Sequence, residues 1–363
     1  MQLVRYLRVF AIILPMKLTK RQQIILESLF QKALGTAKLL EKLESAGFTV
    51  SEDTLQRELK VLTDADFMTS EGTGPSRTHL LTTLGRLAIE RTDQDIDTYL
   101  QDTDRMPSRY LTDIPTSIVT HLKQTAVFDS EEQSVVTKYR NFEASLDSSL
   151  LARWRQKWLI EFAWKSSSIE GNTYSVLETE TLLLDNVEAT GKSHQEALMI
   201  VNHQKAYDYI LAHKADFRTI HLPQVLALHE LLVTGLDVSF GIRSAAVRIS
   251  GSRYIPLSHS HQIADNLDKI ITAVNTIDEP LDKALASILL IAYLQPFADG
   301  NKRTSRVLAN AILESYDYPP IILGGIEPTR YRRACIAFYE MTDISPMANI
   351  VKDSYASFLD FDE

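Results

Sequence analysis

The sequence predicts a mainly α-helical protein, and two observations carry that prediction. Only 13 glycines and 12 prolines occur in 363 residues, few enough to leave long uninterrupted helices. Apolar residues also recur at helical spacing from Thr19 onward, with strand-like patterns in two places only. A composition 45% apolar and 23% charged supports buried cores, and a chain of this length suits about two domains. Lys and Arg number 38 against 47 Asp and Glu, a net −9, so no global positive field points to a nucleic-acid or membrane partner. The single cysteine, Cys335, excludes a disulfide framework and a cysteine-ligated zinc site. It fits a reducing compartment, and the expected location is cytoplasmic.

In chain order, residues 1–16 read as a leader. Arg5 and Arg8 precede an apolar run, Val9 to Pro15, too short to span a bilayer and followed by no small-residue cleavage pattern. Met16 opens an amphipathic helix and is the expected initiator. No later stretch reaches ~18 consecutive apolar residues, so no membrane span is expected. Residues 17–91 read as a winged helix-turn-helix. Stripes at Ile24 to Phe30, Leu39 to Leu43 and Leu55 to Leu62 give three helices, Ser51 caps the third, and Gly72, Gly74 and Pro75 break Phe67 to Leu81 as a hairpin does. Lys17 to Thr83 holds nine basic and nine acidic residues, so this module is read as a protein-contact or regulatory unit rather than a DNA reader. Residues 92–130, polar and interrupted by Pro107 and Pro115, read as a connector with short helices. Residues 131–363 form the second, larger domain. Helical patterns run from Glu131 to Ser167 and then at Val176–Asp185, Gln195–Lys214, Leu222–Thr234, Ser260–Ile277, Pro280–Leu294, Asn301–Tyr316, Pro328–Thr342 and Pro346–Phe358. Arg243 to Leu257 alternates about Gly251 as a hairpin would.

Chemistry concentrates in Leu294 to Arg306. Pro296 ends the preceding helix, Gly300 allows a tight turn, and a helix beginning near Asn301 points free N–H groups and its positive dipole end at the loop. Arg303 and Arg306 share one face of that helix, with Lys302 beside them, and Asp299 is a hard oxygen ligand suited to Mg²⁺ on a phosphate chain. On spacing alone, a phosphate cradle and a capped turn with solvated arginines are both open readings.

The run Gln295-Pro296-Phe297-Ala298-Asp299-Gly300-Asn301-Lys302-Arg303-Thr304-Ser305-Arg306 resembles the signature of the Fic (filamentation induced by cAMP) family, HxFx[D/E]GN[G/K]RxxR, except that Gln295 stands where the family has His. Upstream, Ser166-Ser167-Ser168-Ile169-Glu170-Gly171-Asn172 resembles the family's inhibitory motif, [S/T]xxxE[G/N], here N-terminal to the core. The resemblance covers roughly Glu131 to the C-terminus. It implies a helical core with a β-hairpin flap at Arg243 to Leu257 that holds a target's backbone, and transfer of AMP from ATP to a Ser, Thr or Tyr hydroxyl of a protein. It implies Mg²⁺ at Asp299, nucleotide binding by Gly300, Asn301, Lys302, Arg303 and Arg306, Tyr331 in the helix that builds the adenine wall, and Ser166, Glu170 and Gly171 as the inhibitory element. Self-modification and a homo-oligomer stay open.

Gln295 is the departure that matters. The family's histidine takes the proton from the attacking hydroxyl, and an amide has no useful basicity, although it can orient a hydroxyl by hydrogen bonding. Three readings follow: an AMP transferase with a substitute base, an ATP-binding pseudoenzyme acting through its winged helix, or an enzyme whose Glu170 activates water to remove AMP. The last lacks an acid for the leaving hydroxyl. His259 and His261 are the nearest substitute bases in sequence, though a role as a polar helix cap is favoured for them. His203 and His229 are expected to be packed. Asn186 to Ser193 (NVEATGKS) ends like a P-loop but lacks its first glycine and follows a helix, and Cys335 has no histidine partner nearby.

Overall fold

The computed structural model describes residues 18–125 and 127–357. The leader at 1–16, the expected initiator Met16 and the end of the last expected helix, at Phe358, lie outside them. The chain divides into two compact units, one running to Thr92 with Thr120–Ala126, the other comprising Asp93–Val119 and the chain from Val127 onward.

In the first unit three helices, α1 (Lys20–Leu29), α2 (Thr36–Ser45) and α3 (Glu52–Asp64), precede a hairpin of β2 (Met68–Glu71) and β3 (Thr78–Leu81). Ser51 caps α3 by accepting from the Thr54 amide, as its position predicts. A two-residue strand that the sequence did not announce, β1 (Leu34–Gly35), adds antiparallel to β3, giving the order β1-β3-β2. Leu26, Leu39, Leu55, Leu62 and Phe67 close the core beneath the sheet. A short helix, α4 (Thr83–Leu87), ends the unit's main run.

The second unit begins earlier than expected. α5 (Asp93–Gln101) and the first half of α6 (Ile114–Gln124) belong to it rather than forming a free connector, because Ile96, Ile114 and Ile118 are buried there and the Arg333 guanidinium holds Asp93 and Asp97. The helical stretch expected from Glu131 to Ser167 is made of two helices, α7 (Ser130–Ser145) and α8 (Ser148–Ile169), since Asp147 caps a new start. The remaining helices are α9 (Val176–Asp185), α10 (His194–Ala212), α11 (Leu222–Val233), α12 (Ser260–Asn275), α13 (Pro280–Leu294), α14 (Asn301–Ser315), α15 (Pro328–Met341) and α16 (Ser345–Ala356). Each lies within two residues of its expected bounds.

α13 and α14 pack on each other at the centre, and α13 is buried at every position but Asp282. A helix that is apolar all round has to be a core helix. Buried positions in α14 are polar at its start (Asn301, Arg303, Thr304, Ser305, Arg306) and mostly apolar from Val307 onward, with Asn310, Glu314 and Ser315 the exceptions, so a polar end lies inside the unit.

The hairpin expected at Arg243 to Leu257 is not formed. The segment is extended with a turn at Ile249–Ser252, but no ladder joins its two halves, and its backbone bonds go elsewhere. Ile242 bridges Phe297 and Ile255 bridges Arg109. The buried Arg243 guanidinium donates to the carbonyls of Ala245 and Leu257 and so ties the two arms together by a side chain instead. Among the described residues no helix is long and apolar enough to cross a membrane.

Because the α13–α14 pair positions the polar loop, truncating it should cost heavily. Leu290→Ala, at a fully buried site, is expected to lower unfolding free energy by about 2–5 kcal/mol, read as a lower urea midpoint at unchanged slope.

Candidate functional site

The site grows from the turn between α13 and α14. Gln295 ends α13 in the left-handed region (φ 52°), and Gly300 opens α14 there too (φ 79°). A Cβ on Gly300 would stand 3.1 Å from Val233 and 3.6 Å from His229, so a glycine is required both for conformation and for room. Asn301 braces the loop from inside: its amide donates to the carbonyl of Phe297 and to Gln295 Oε1, and its Oδ1 accepts from the Phe297 N–H. His229 supports the loop from beneath. Its ring stacks on Phe297 at 3.7 Å and its Nε2 donates to the Asp299 carbonyl, while burial holds its pKa down at about 4, so it is neutral. No side chain caps α14, which leaves its first-turn amides as anion donors.

Glu170 ends α8 against this helix. Its carboxylate lies 3.0 Å from Arg306 Nη1 and 2.7 Å from Lys302 Nζ. Burial pushes the Glu170 pKa up, but the Arg306 and then the Lys302 charge outweigh it and hold the group down at about 2. The Arg306 guanidinium is occupied on every nitrogen: Nε donates to Ser166 Oγ, Nη2 to the Ser166 carbonyl and Nη1 to Glu170. Behind Ser166 stands His203. Its Nδ1 faces the Met199 carbonyl at 2.8 Å and must donate there, so its Nε2 accepts from the Ser166 hydroxyl at 2.9 Å. Desolvation holds His203 at about 3, which keeps this neutral arrangement. The sequence places both histidines correctly as packed groups, but their partners could be seen only in three dimensions.

A cavity of about 240 Å³ opens beside the ion pair, lined by Glu170, Gly171, Lys302, Ile249, Ser250, Arg332, Cys335, Ile336 and Tyr339 among others. Tyr331 is not on that wall. It is fully buried with its ring 5.0 Å under the Arg306 guanidinium, because its position on α15 faces the core while Arg332, Cys335 and Tyr339 face the cavity. Arg303 also turns inward, 3% exposed, toward Asp299 Oδ2 (3.3 Å) and the Leu232 carbonyl. Asp299 itself is exposed, with Oδ1 accepting from the Gly300 amide. The Cys335 thiol is pushed up to about 11 by burial, which makes it unreactive.

The Gln295 side chain is buried and engaged within the loop. Its Nε2 donates to the Ala292 carbonyl, its Oε1 accepts from Asn301, and its own carbonyl accepts from Arg243 Nε. Arg243 is the functional-neighbourhood residue that spacing does not reveal, since a lone arginine after Gly241-Ile242 carries no pattern. His259 and His261 are exposed, stacked on each other at 5.9 Å at the start of α12; His259 makes no side-chain cap. They do not line the cavity.

Residues 219–313, which hold this loop and the uncapped helix start, match the family model described as Fic/DOC family. The fold is also that of the C. elegans Fic-1 structure (aa134 - 508), at TM-score 0.54 and 20% identity over 73% of this chain and 78% of that one. It is likewise that of a Fic domain containing signaling protein from Bacteroides thetaiotaomicron, at TM-score 0.53 and 20% identity, covering 63% of this chain and 94% of that one. In sequence, the protein adenylyltransferase fic-1 of Caenorhabditis briggsae is 24% identical over 64% of this chain and 47% of its own length. Protein adenylyltransferase Fic of Drosophila mojavensis is 28% identical over 59% and 43% respectively. The chain thus spans under half the length of these curated relatives.

The Glu170 pKa sets a test. A carboxylate whose folded pKa lies below its ordinary 4.5 adds stability that is present above that value and lost as pH falls toward about 2. The melting difference between the unaltered chain and Glu170→Gln is expected to be large at pH 6 and to shrink steadily between pH 4.5 and 2.

Proposed function

We propose that this chain is a Fic-type protein adenylyltransferase held inactive by Glu170, with turnover limited by Gln295. The observation that carries the reading is the Glu170 carboxylate seated on Arg306 and Lys302 at an uncapped helix start. A carboxylate fills that place when no nucleotide does, and a terminal phosphate of ATP has the charge and oxygens to replace it. The amides of Gly300 to Lys302 would cradle the phosphates, and Ser166 and Gly171 would set where Glu170 stands. Arg303, lying under the loop, would serve the phosphates by holding Asp299 and the loop in shape.

Mg²⁺ fits this donor set. No cluster of three or more His, Cys, Asp or Glu exists among the described residues, but Mg²⁺ on a phosphate chain needs only one or two carboxylates, and the exposed Asp299 supplies one. When bound it would neutralise phosphate charge. In the transfer itself, a target hydroxyl oxygen forms a bond to the α-phosphorus, the bond to the bridging oxygen breaks, and pyrophosphate leaves. The hydroxyl proton needs a base, which Gln295 is not. That both ends of the Gln295 amide are consumed inside the loop favours a second reading, an ATP-binding regulator that signals through its N-terminal unit, read as a winged helix with a protein partner.

ATP titration separates site from chemistry. Glu170→Gly is expected to raise ATP affinity by about tenfold, and Arg306→Ala in that background to weaken it by ~1.5–3 kcal/mol; unchanged calorimetric affinities would remove the site assignment. Incorporation of α-labelled ATP into protein then reads turnover. Label only after Gln295→His, lost again with Asp299→Ala, supports the regulator, whereas label with Gln295 in place supports a working transferase with another base.

A further inference from the structure

The extended segment Ile249–Ile255 has two neighbours. Its start, Ile249 and Ser250, lines the cavity beside Glu170. Its end is covered by this chain's own residues 103–109. The Ile255 N–H donates to the Ser108 carbonyl at 2.8 Å, and Ile255 and Arg109 form a parallel bridge. Arg253 donates through its guanidinium to the carbonyls of Thr103 and Arg105. Arg105 in turn reaches the Gly251 carbonyl and Glu340 Oε2. Glu340 also accepts from Ser252 Oγ and the Arg253 N–H, so one buried carboxylate on α15 joins the strap to the segment it covers.

The strap is held by polar contacts rather than by burial. Met106 is 76% exposed, and Thr103, Asp104, Pro107 and Arg109 are exposed as well. Main-chain bonds at an edge are sequence-tolerant and exchangeable, which is how extended peptides add to a sheet or strand edge. Displacing the strap, however, removes Arg105 from a carboxylate whose side chain is 0% exposed. A buried acid left without its cation is costly, so whatever replaces the strap has to bring a positive charge.

We propose that Ile249–Ile255 is a peptide-docking edge and that Thr103–Arg109 is its resident occupant, displaced by an extended, arginine-bearing segment of a partner protein. The proposal rests on the reading of this segment as the place where a target's backbone docks, and it adds a restraint on the target side that is separate from Glu170 on the nucleotide side. The partner's arginine takes the place of Arg105 on Glu340, and its main-chain carbonyl takes the place of Ser108 on the Ile255 N–H.

The test uses a fluorescent peptide of residues 102–110 (DTDRMPSRY) added without ATP to two full-length chains, one unaltered and one with 103–109 replaced by glycine and serine. A tethered segment competes at an effective concentration of about millimolar, so the unaltered chain should bind the peptide at least about tenfold more weakly than the replaced chain. The same peptide carrying Arg105→Ala should bind the replaced chain about tenfold more weakly than the original peptide. Equal binding to both chains, or no binding to a replaced chain that still melts cooperatively, overturns the proposal. Should the replaced chain not fold, amide exchange in the full chain decides: Arg105→Ala is expected to speed exchange at Ile255 by about tenfold, and unchanged exchange overturns it. Neither readout depends on nucleotide or turnover, so a failed AMP-transfer reading leaves both intact.

Discussion

Arg306 is the constraint around which the second unit is arranged. A guanidinium buried to 2% exposure must have all its donors met and its charge balanced. Ser166 and Glu170 on α8 meet them, Tyr331 on α15 lies against its face, and His203 on α10 fixes the hydroxyl of Ser166. Four helices are therefore held in mutual register by one cation. The same arrangement explains why a helix end as polar as the start of α14 is tolerated at the centre of a core.

That satisfaction is conditional, which is what makes it useful. The Glu170 carboxylate is the one charged acceptor in the set, and it reaches both Arg306 and Lys302 from a helix end, where the next residue, Gly171, has φ 99°. A phosphate can substitute for it in charge and geometry, whereas a neutral group cannot.

Gln295 shows how a local departure is absorbed. Gln295 at the end of α13 has a left-handed backbone, held by the Arg243 bond to its carbonyl and the Asn301 bond to its side chain. The side chain is then drawn into the loop's own hydrogen bonding and lost to solvent.

Much was legible in the sequence. Helical spacing located α9 and α13 to the residue, since the signal for an amphipathic or buried helix and its caps lies within one element. The loop from Asp299 to Arg306 was equally readable, because proline, glycine and the following cations act over a single turn. What only the tertiary structure decided involves groups far apart in the chain. Glu170 and Arg306 are 136 residues apart and Arg243 and Gln295 52, and no periodicity encodes such meetings. Tyr331 and Arg303 turned inward for the same reason: which face of a helix is the core depends on its neighbours. The expected hairpin dissolved because alternation at Arg243 to Leu257 reports only that a segment is extended. Whether its backbone pairs with itself, or with Ser108 and Pro296, is set by what the rest of the fold brings alongside.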